Sequence, residues 1–452
     1  MQISSLIGHA GQCSSIILKS SKPADSLVSE YTRERKYLGS TDRKILSELV
    51  FTYFRNKTIV EVLAKSSLLN TYLSSDTLTN KTNFDRLYFL VTYILFYQHA
   101  QNTLPVTIET LQRFFELSEE IAIEFHTEIL TKHSHYSNFT TSDELSTIFS
   151  LPKWIIESFQ SNILVNRSFD DSFGLAKSTT IPAPLCIRVN TRITTSDDVL
   201  QRLHHAGIEA RFSEFIPNCI VINQRVSLLE TQLYKSGAIE IQDESSQLAA
   251  FALAPEEDWD ILDACAGAGG KTLHLATLQN DNGRILSSDI EWNRLKQIQK
   301  RNERHRFSSI TTYLWGNKNK KLPLSQFDGI LIDAPCSGLG TIRRMPLQKW
   351  KLTKESITKL AKNQLDILET YSSFVKPNGI VVYATCSFLP QENEEVVVKF
   401  LEKHPEFSKD SLQPGFSKFG ITISPDTDYC TTMLPSIHGS DGFFVARFRK
   451  NG

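Results

Sequence analysis

Two cysteines, each followed by serine and each closing an apolar run, are the residues of this chain best suited to nucleophilic chemistry. They are Cys336, in Ile332-Asp333-Ala334-Pro335-Cys336-Ser337-Gly338, and Cys386, in Tyr383-Ala384-Thr385-Cys386-Ser387. A single cysteine is more often a small buried hydrophobe than a nucleophile. Two of them at the carboxyl ends of strands of one sheet are expected to converge on one pocket. A third stretch, Asp263-Ala264-Cys265-Ala266-Gly267-Ala268-Gly269-Gly270-Lys271-Thr272, has the small residues of a ligand-cradling turn. A phosphate loop would require Gly where Cys265 stands, and a dinucleotide fingerprint would require Gly where Thr272 stands. The remaining chemistry is an adenosine cofactor without a pyrophosphate, such as S-adenosylmethionine. Small residues let the backbone approach it, and an acid ending the next strand, Asp289, can accept both ribose hydroxyls. Taken alone, the motif also fits a merely tight turn between strand and helix.

A methyl donor and a thiol belong together for a specific reason. Carbon 5 of a pyrimidine is a poor nucleophile toward a methyl sulfonium. A thiolate added to carbon 6 makes carbon 5 enamine-like, and loss of the carbon-5 proton with elimination of the thiol restores the ring. This is covalent catalysis, in which one hard step becomes two easier ones. The thiolate would be favoured by nearby positive charge, for which Lys271 is the candidate. Asp333 would stabilise the adduct at the N3 and N4 edge of the ring.

These residues need a scaffold that brings strand ends together. From residue 240 onward strands and helices alternate, with strands expected at 259–263, 284–288, 310–314, 327–332 and 380–384, the last introduced by a turn at 376–379. That order predicts a doubly wound, mostly parallel sheet with its ligand at the carboxyl ends of the strands. Residues 180–235 read as a small α+β unit, with strands at 185–189 and 219–222 around a helix at 196–205. Residues 1–140 read as all-α, because Ile45, Leu46, Leu49, Val50 and Tyr53 recur at helical spacing. The Ser/Thr-rich stretch 137–150 reads as a linker. The expected domains are therefore 1–140, 141–235 and 236–452.

The 452 residues are 40% hydrophobic, with 49 Lys+Arg against 50 Asp+Glu, which excludes disordered and collagen-like classes. Seven scattered cysteines without a C-x-x-C pair predict free thiols in a reducing cytoplasm and no zinc site. The longest apolar run, residues 87–97, is too short to span a bilayer, and no charged segment precedes a hydrophobic stretch near the start, so neither membrane nor secretion is expected. Charge is unevenly distributed: residues 284–362 hold 17 basic and 6 acidic side chains, and residues 1–65 hold 10 and 6. Such runs are often only solvated faces. Two of them beside a candidate active site point toward a polyanionic substrate.

Together the three motifs resemble the RNA (cytosine-5)-methyltransferase family. Further matching residues are Arg188-Val189-Asn190-Thr191, Gln242-Asp243-Glu244-Ser245-Ser246-Gln247, Arg343-Arg344, Lys349-Trp350 and Asp441-Gly442-Phe443-Phe444. The stretch Arg33-Glu34-Arg35-Lys36-Tyr37-Leu38-Gly39-Ser40-Thr41-Asp42-Arg43 is similar to the NusB-like, RNA-binding helical domain of the family's Sun/RsmB branch, which methylates small-subunit (16S) ribosomal RNA. The resemblance implies a Rossmann-like methyltransferase domain behind an all-α NusB-like domain and a small α+β module, acting in the cytoplasm as a monomer on rRNA. It makes Cys386 the nucleophile and Cys336 the residue assisting release. It assigns S-adenosylmethionine to Cys265, Ala266, Gly267, Ala268, Gly269, Gly270, Lys271, Asp289, Asn317 and Asp333. The chain departs from the family pattern at Ala268 and Asn317, where Pro and Asp are usual, and at Leu347, where Asp usually follows the proline. The same chemistry on transfer RNA, or a non-catalytic ribosome-assembly or antitermination factor retaining the fold, are the alternatives.

Overall fold

The computed structural model describes residues 1–452 apart from 21, 74–79, 98–101, 137–140, 162–168, 225, 317–325, 424 and 426. Two compact units result: residues 1–181 with 342–351, and residues 182–341 with 352–452.

The first unit is helical among its described residues. Helices Ile3–Leu18, Ser40–Arg55, Lys57–Lys65 and Lys81–Phe96 share one core, into which Leu6, Leu46, Leu49, Val50, Phe54, Leu87 and Phe89 are fully or almost fully buried. The expected helical spacing at 45–53 and across 87–97 thus becomes the buried face of two packed helices. The expected linker contains a helix, Ser142–Ile148, started by a reciprocal capping box between Thr141 and Glu144. Ser and Thr there are cap residues, so composition alone misread the stretch.

A ten-residue excursion from the second half of the chain completes this unit. Leu347 enters the helical core, Lys349 Nζ donates to the Arg55 carbonyl at 2.8 Å, and Trp350 Nε1 donates to the Phe54 carbonyl at 3.4 Å. Those carbonyls close helix Ser40–Arg55, where no helical N–H remains to pair with them, so the excursion supplies the missing donors. Arg55 Nε answers by donating to the Arg343 carbonyl at 3.0 Å.

The second unit holds two sheets. In the smaller, β1 (Leu185–Val189), β2 (Ala210–Phe212), β3 (Cys219–Ile222) and β4 (Ile239–Ile241) are ordered β2-β3-β1-β4, all antiparallel. The fourth strand lies beyond the expected end of the module at 235; three residues are too few to show a period.

The larger sheet contains β5 (Asp260–Ala264), β6 (Arg284–Asp289), β7 (Ile310–Leu314), β8 (Phe327–Asp333), β9 (Val375–Thr385), β10 (Phe407–Lys409), β11 (Cys430–Met433) and β12 (Phe443–Lys450). Its order is β10-β12-β9-β8-β5-β6-β7, with β11 also on β12. Strands β9, β8, β5, β6 and β7 are parallel, and the last three strands of the chain add an antiparallel edge that sequence periodicity did not anticipate. Alternate residues of β8 and β9 enter opposite cores. Leu331, Ile380, Val382 and Ala384 pack toward helices Glu244–Leu253 and Gly270–Leu278, whereas Ile330, Ile332, Val381 and Tyr383 pack toward helices Lys354–Ser372 and Glu394–Lys403. Two-residue alternation into two apolar layers is what a doubly wound sheet requires. The expected turn at 376–379 lies inside β9 as an irregularity, the pairing slipping from Phe327↔Val375 to Gly329↔Ile380 around Asn378 at φ +63°.

Candidate active site

The Gly-rich turn leaves β5 and enters helix Gly270–Leu278. It turns tightly because Cys265, Gly267 and Gly269 have φ of +59°, +56° and +85°. At Gly269 a Cβ would stand 2.8 Å from Ile298 Cγ1, so only glycine fits between turn and helix Trp292–His305. The turn is held from outside. Asp289, at the end of β6, accepts from Gly267 N at 3.0 Å and from Glu291 N at 2.8 Å, while Arg301 donates to the Ala268 carbonyl and Arg188 to the Gly270 carbonyl.

Lys271, the next residue of the helix, donates to Asp333 Oδ2 at 2.7 Å and to Ser246 Oγ at 2.9 Å, and its ammonium lies over the Phe443 ring. Its observed partners are thus a carboxylate and a hydroxyl. Beneath the turn, Asp263 is fully enclosed. Thr272 Oγ1 donates to its Oδ2 at 2.5 Å, and Oδ1 has no hydrogen-bond partner. Burial pushes the Asp263 carboxyl up to about 7, against the opposing effect of the Thr272 hydrogen bond. Cys265 is pushed up to about 12, chiefly by burial and then by the Asp333 and Asp289 charges, which makes it a neutral wall of the turn.

Strands β8 and β9 pair in parallel with Asp333 opposite Ala384, so their carboxyl ends emerge side by side. Cys336 and Cys386 follow, and their Sγ atoms stand 3.1 Å apart, close enough for one thiol to donate to the other. The hydrogen bond with Cys386, followed by burial, pushes Cys336 well above the ordinary thiol range. Cys336 is therefore held as the neutral thiol. The Cys386 loop is fixed by Gly340, whose N donates to the Cys386 carbonyl and whose carbonyl accepts from Gly442 N. A Cβ on Gly340 would stand 2.0 Å from the Gly442 carbonyl oxygen. Asn317 lies outside the described residues, and the other expected site residues all sit in the turn, at the strand ends or beside them. Ser246 and Arg301 hold this site without having been singled out. In the sequence Ser246 is one residue of the Gln242–Gln247 motif and Arg301 one charge of the basic run, and nothing local marks either for the site. Cys13, Cys186, Cys219 and Cys430 are buried. Among the described residues no cluster of potential metal ligands occurs, and no helix is long and apolar enough to cross a membrane.

The sequence pattern of the 16S rRNA methyltransferase RsmB/F matches residues 250–449, and that of the RsmF/B-like ferredoxin-like domain matches residues 151–229. A Bacillus subtilis (strain 168) protein named "Probable ribosomal RNA small subunit methyltransferase B" is 32% identical over 312 residues, 68% of either chain. The chain belongs to the RsmB/F methyltransferase family. A 28S rRNA (cytosine-C(5))-methyltransferase of Mus musculus is 32% identical over 322 residues, 68% of this chain and 40% of the mouse protein. Among solved structures, PH0851 aligns over 99% of both chains with a TM-score of 0.76 at 22% identity. NSun6 from Pyrococcus horikoshii, solved with SFG, covers 67% of this chain and 98% of its own with a TM-score of 0.58 at 21% identity. The expected Rossmann-like methyltransferase architecture with a helical amino-terminal region is therefore the architecture found, and RsmB/F membership makes the chain an RNA methyltransferase of the kind the motifs resemble.

Proposed function

We propose that this RsmB/F protein methylates carbon 5 of a cytidine in small-subunit ribosomal RNA, using S-adenosylmethionine and a transient bond between Cys386 Sγ and carbon 6. The observation that carries the reading is the 3.1 Å approach of two thiols at the ends of adjacent parallel strands. A nucleophile and a second proton-carrying group at that separation are what addition and elimination at one ring carbon require.

The turn fits the cofactor. Its backbone is stripped of side chains at Gly267, Gly269 and Gly270, and both Asp289 oxygens retain lone-pair capacity beyond the backbone N–H groups they hold. Residues 265–271 and Asp289 would hold it, with Asp333 at its edge. Bound there, the cofactor supplies an electrophilic methyl group. The protein does the rest. Cys386 Sγ adds to carbon 6 and raises the nucleophilicity of carbon 5. Asp333, oriented by Lys271 Nζ, meets the polar edge of the ring. The carbon-5 proton passes to solvent as the ring is restored and the Cys386 thiolate is expelled, and Cys336 S–H stands within hydrogen-bond distance of that departing sulfur, to which it can donate.

The test is the pattern of trapping. Cys336→Ala is expected to form the adduct and release it poorly, leaving a protein–RNA species that survives denaturing electrophoresis. Cys386→Ala is expected to form none, and to abolish the species when combined with Cys336→Ala. The reverse pattern would exchange the roles of the thiols. Activity retained in both variants without an adduct would remove the covalent mechanism.

A further inference from the structure

One buried charge near the thiols has no role in this scheme. Glu392 ends the short 3-10 turn Pro390–Glu392, and its side chain has no solvent exposure. Four donors converge on it. Ser337 N and Gln364 Nε2 reach Oε1 at 2.8 and 3.0 Å, and the hydroxyls of Ser337 and Ser387 reach Oε2 at 2.5 and 2.6 Å. An ionised carboxylate accepts about four hydrogen bonds and donates none, so this one is saturated. A carboxylate withdrawn from water is tolerated only when its lone pairs are met in this way.

What Glu392 joins is more telling than how completely it is satisfied. Ser337 immediately follows Cys336, and Ser387 immediately follows Cys386. Both loops begin where the β8–β9 ladder has ended, so sheet hydrogen bonds no longer fix their separation. A single oxygen bonded to both serine hydroxyls joins the loops one residue away from each thiol, alongside the Gly340 N–H to Cys386 carbonyl bond at 2.9 Å and the Ser337–Ser387 hydroxyl contact at 3.3 Å. The next residue reinforces it, since Asn393 accepts from Thr385 Oγ1 at 2.6 Å and donates to the Ser387 carbonyl at 3.1 Å. Tyr383, on the same strand, donates to the Glu392 carbonyl at 2.6 Å.

We infer that Glu392 is the positioning residue of the thiol pair, clamping the Cys336 and Cys386 loops to one carboxylate so that both sulfurs meet the same ring. The inference deepens the reading proposed above and rests on it for the reaction affected, though not for the clamp itself. Its charge acts in the same direction as its geometry, since it contributes, after Cys386 and burial, to holding the proton on Cys336.

Two measurements on the full-length protein test the clamp. The first reads geometry without catalysis. Diamide, which takes up two hydrogens as a disulfide forms, is added, and closure of Cys336–Cys386 is followed by mass spectrometry of the linked peptides. Glu392→Ala is expected to slow closure at least ~10-fold, since misplacing reacting groups by about an ångström carries penalties of that order or larger. Glu392→Gln is expected to restore most of the rate, because the amide oxygen can keep the two N–H donors while the serine hydroxyls rotate to accept. The second reads chemistry. In the Cys336→Ala background, Glu392→Ala is expected to slow adduct formation by about 10²-fold, with S-adenosylmethionine affinity and the KM for RNA unchanged. Should Ala at 392 fail to fold, Ser387→Ala removes one arm of the same clamp and is expected to shift both rates in the same direction.

Diamide closure at the wild-type rate in folded Glu392→Ala or Ser387→Ala protein would overturn the inference. So would adduct formation at the wild-type rate with KM unchanged. If no variant traps RNA yet closure still depends on residue 392, the covalent reading falls and the clamp stands.

Discussion

Beside the thiols, Glu392 spends every lone pair on protein donors, with Ser337, Ser387 and Gln364 around it. Under the Gly-rich turn, Asp263 is equally enclosed but keeps one oxygen unpaired, and Asp289 holds two backbone N–H groups while retaining capacity for more. These two regions of one sheet edge handle buried charge in opposite ways. The thiol loops are closed on themselves, which suits groups that must hold a fixed separation. The turn keeps unspent acceptors, which suits groups that await a ligand. Satisfaction of buried polar atoms therefore distinguishes a device that positions from a device that binds.

Four experiments would break or sharpen this contrast. The largest effect belongs to Cys386→Ala, which should reduce methyl transfer to background while calorimetric affinity for S-adenosylmethionine stays unchanged. A parallel loss of cofactor affinity would show that the two regions are not separable. Next, Asp333→Asn leaves Lys271 without its charged partner, and kcat should fall by about 10²-fold, the scale of one positioned polar group in a transition state. Because Asp333 is partly exposed, the melting temperature should barely move; a large drop would mark it as structural. Third, Asp289→Ala removes an acceptor from the turn, and cofactor affinity should weaken by roughly 1.5–3 kcal/mol, on the order of 10- to 150-fold. An unchanged dissociation constant would take Asp289 out of the site.

The smallest effect is a pH dependence. Asp263 titrates near 7 in the fold and near the ordinary carboxyl value when unfolded. Its contribution to stability is therefore fully present below about pH 4 and is lost as pH rises through about 7, amounting to a few kcal/mol at most. Asp263→Asn carries no such charge, so its melting temperature should gain on the wild type between pH 5 and pH 8. A difference independent of pH would mean that the carboxyl is not strained by burial.

Much of the catalytic unit was legible because its signals are local. A strand, a run of small residues and a helix start define the Gly-rich turn, and Asp289, Asp333, Cys336 and Cys386 each stand at or just past a strand end. The antiparallel strands β10 to β12 were not legible. Residues 443–448 are buried at every position, which removes the alternation that marks a half-exposed strand. The helix at Ser142–Ile148 hid behind a composition that serves linkers and caps equally.

The basic run at 284–362 shows where sequence stops and tertiary structure takes over. Its residue types were fixed, but not their partners. Arg284 pairs with Asp260, Arg301 and Arg304 with buried Glu240, and Arg294 with Glu291 and Asp289. Arg343 and Lys349 are buried in the helical unit, where Lys349 completes a helix end. A count of charges along the chain thus overstates those left to meet a polyanion, because ion pairing depends on distances between residues far apart in sequence. The same holds for the clamp. Sequence by itself determined that two thiols would end two strands, each with a serine behind it, since side-chain period and strand length are local properties. Only the fold decided that β8 and β9 would be neighbours and that Glu392 would arrive between their loops, because contacts across fifty residues are set by the packing of the whole sheet and not by any stretch of it.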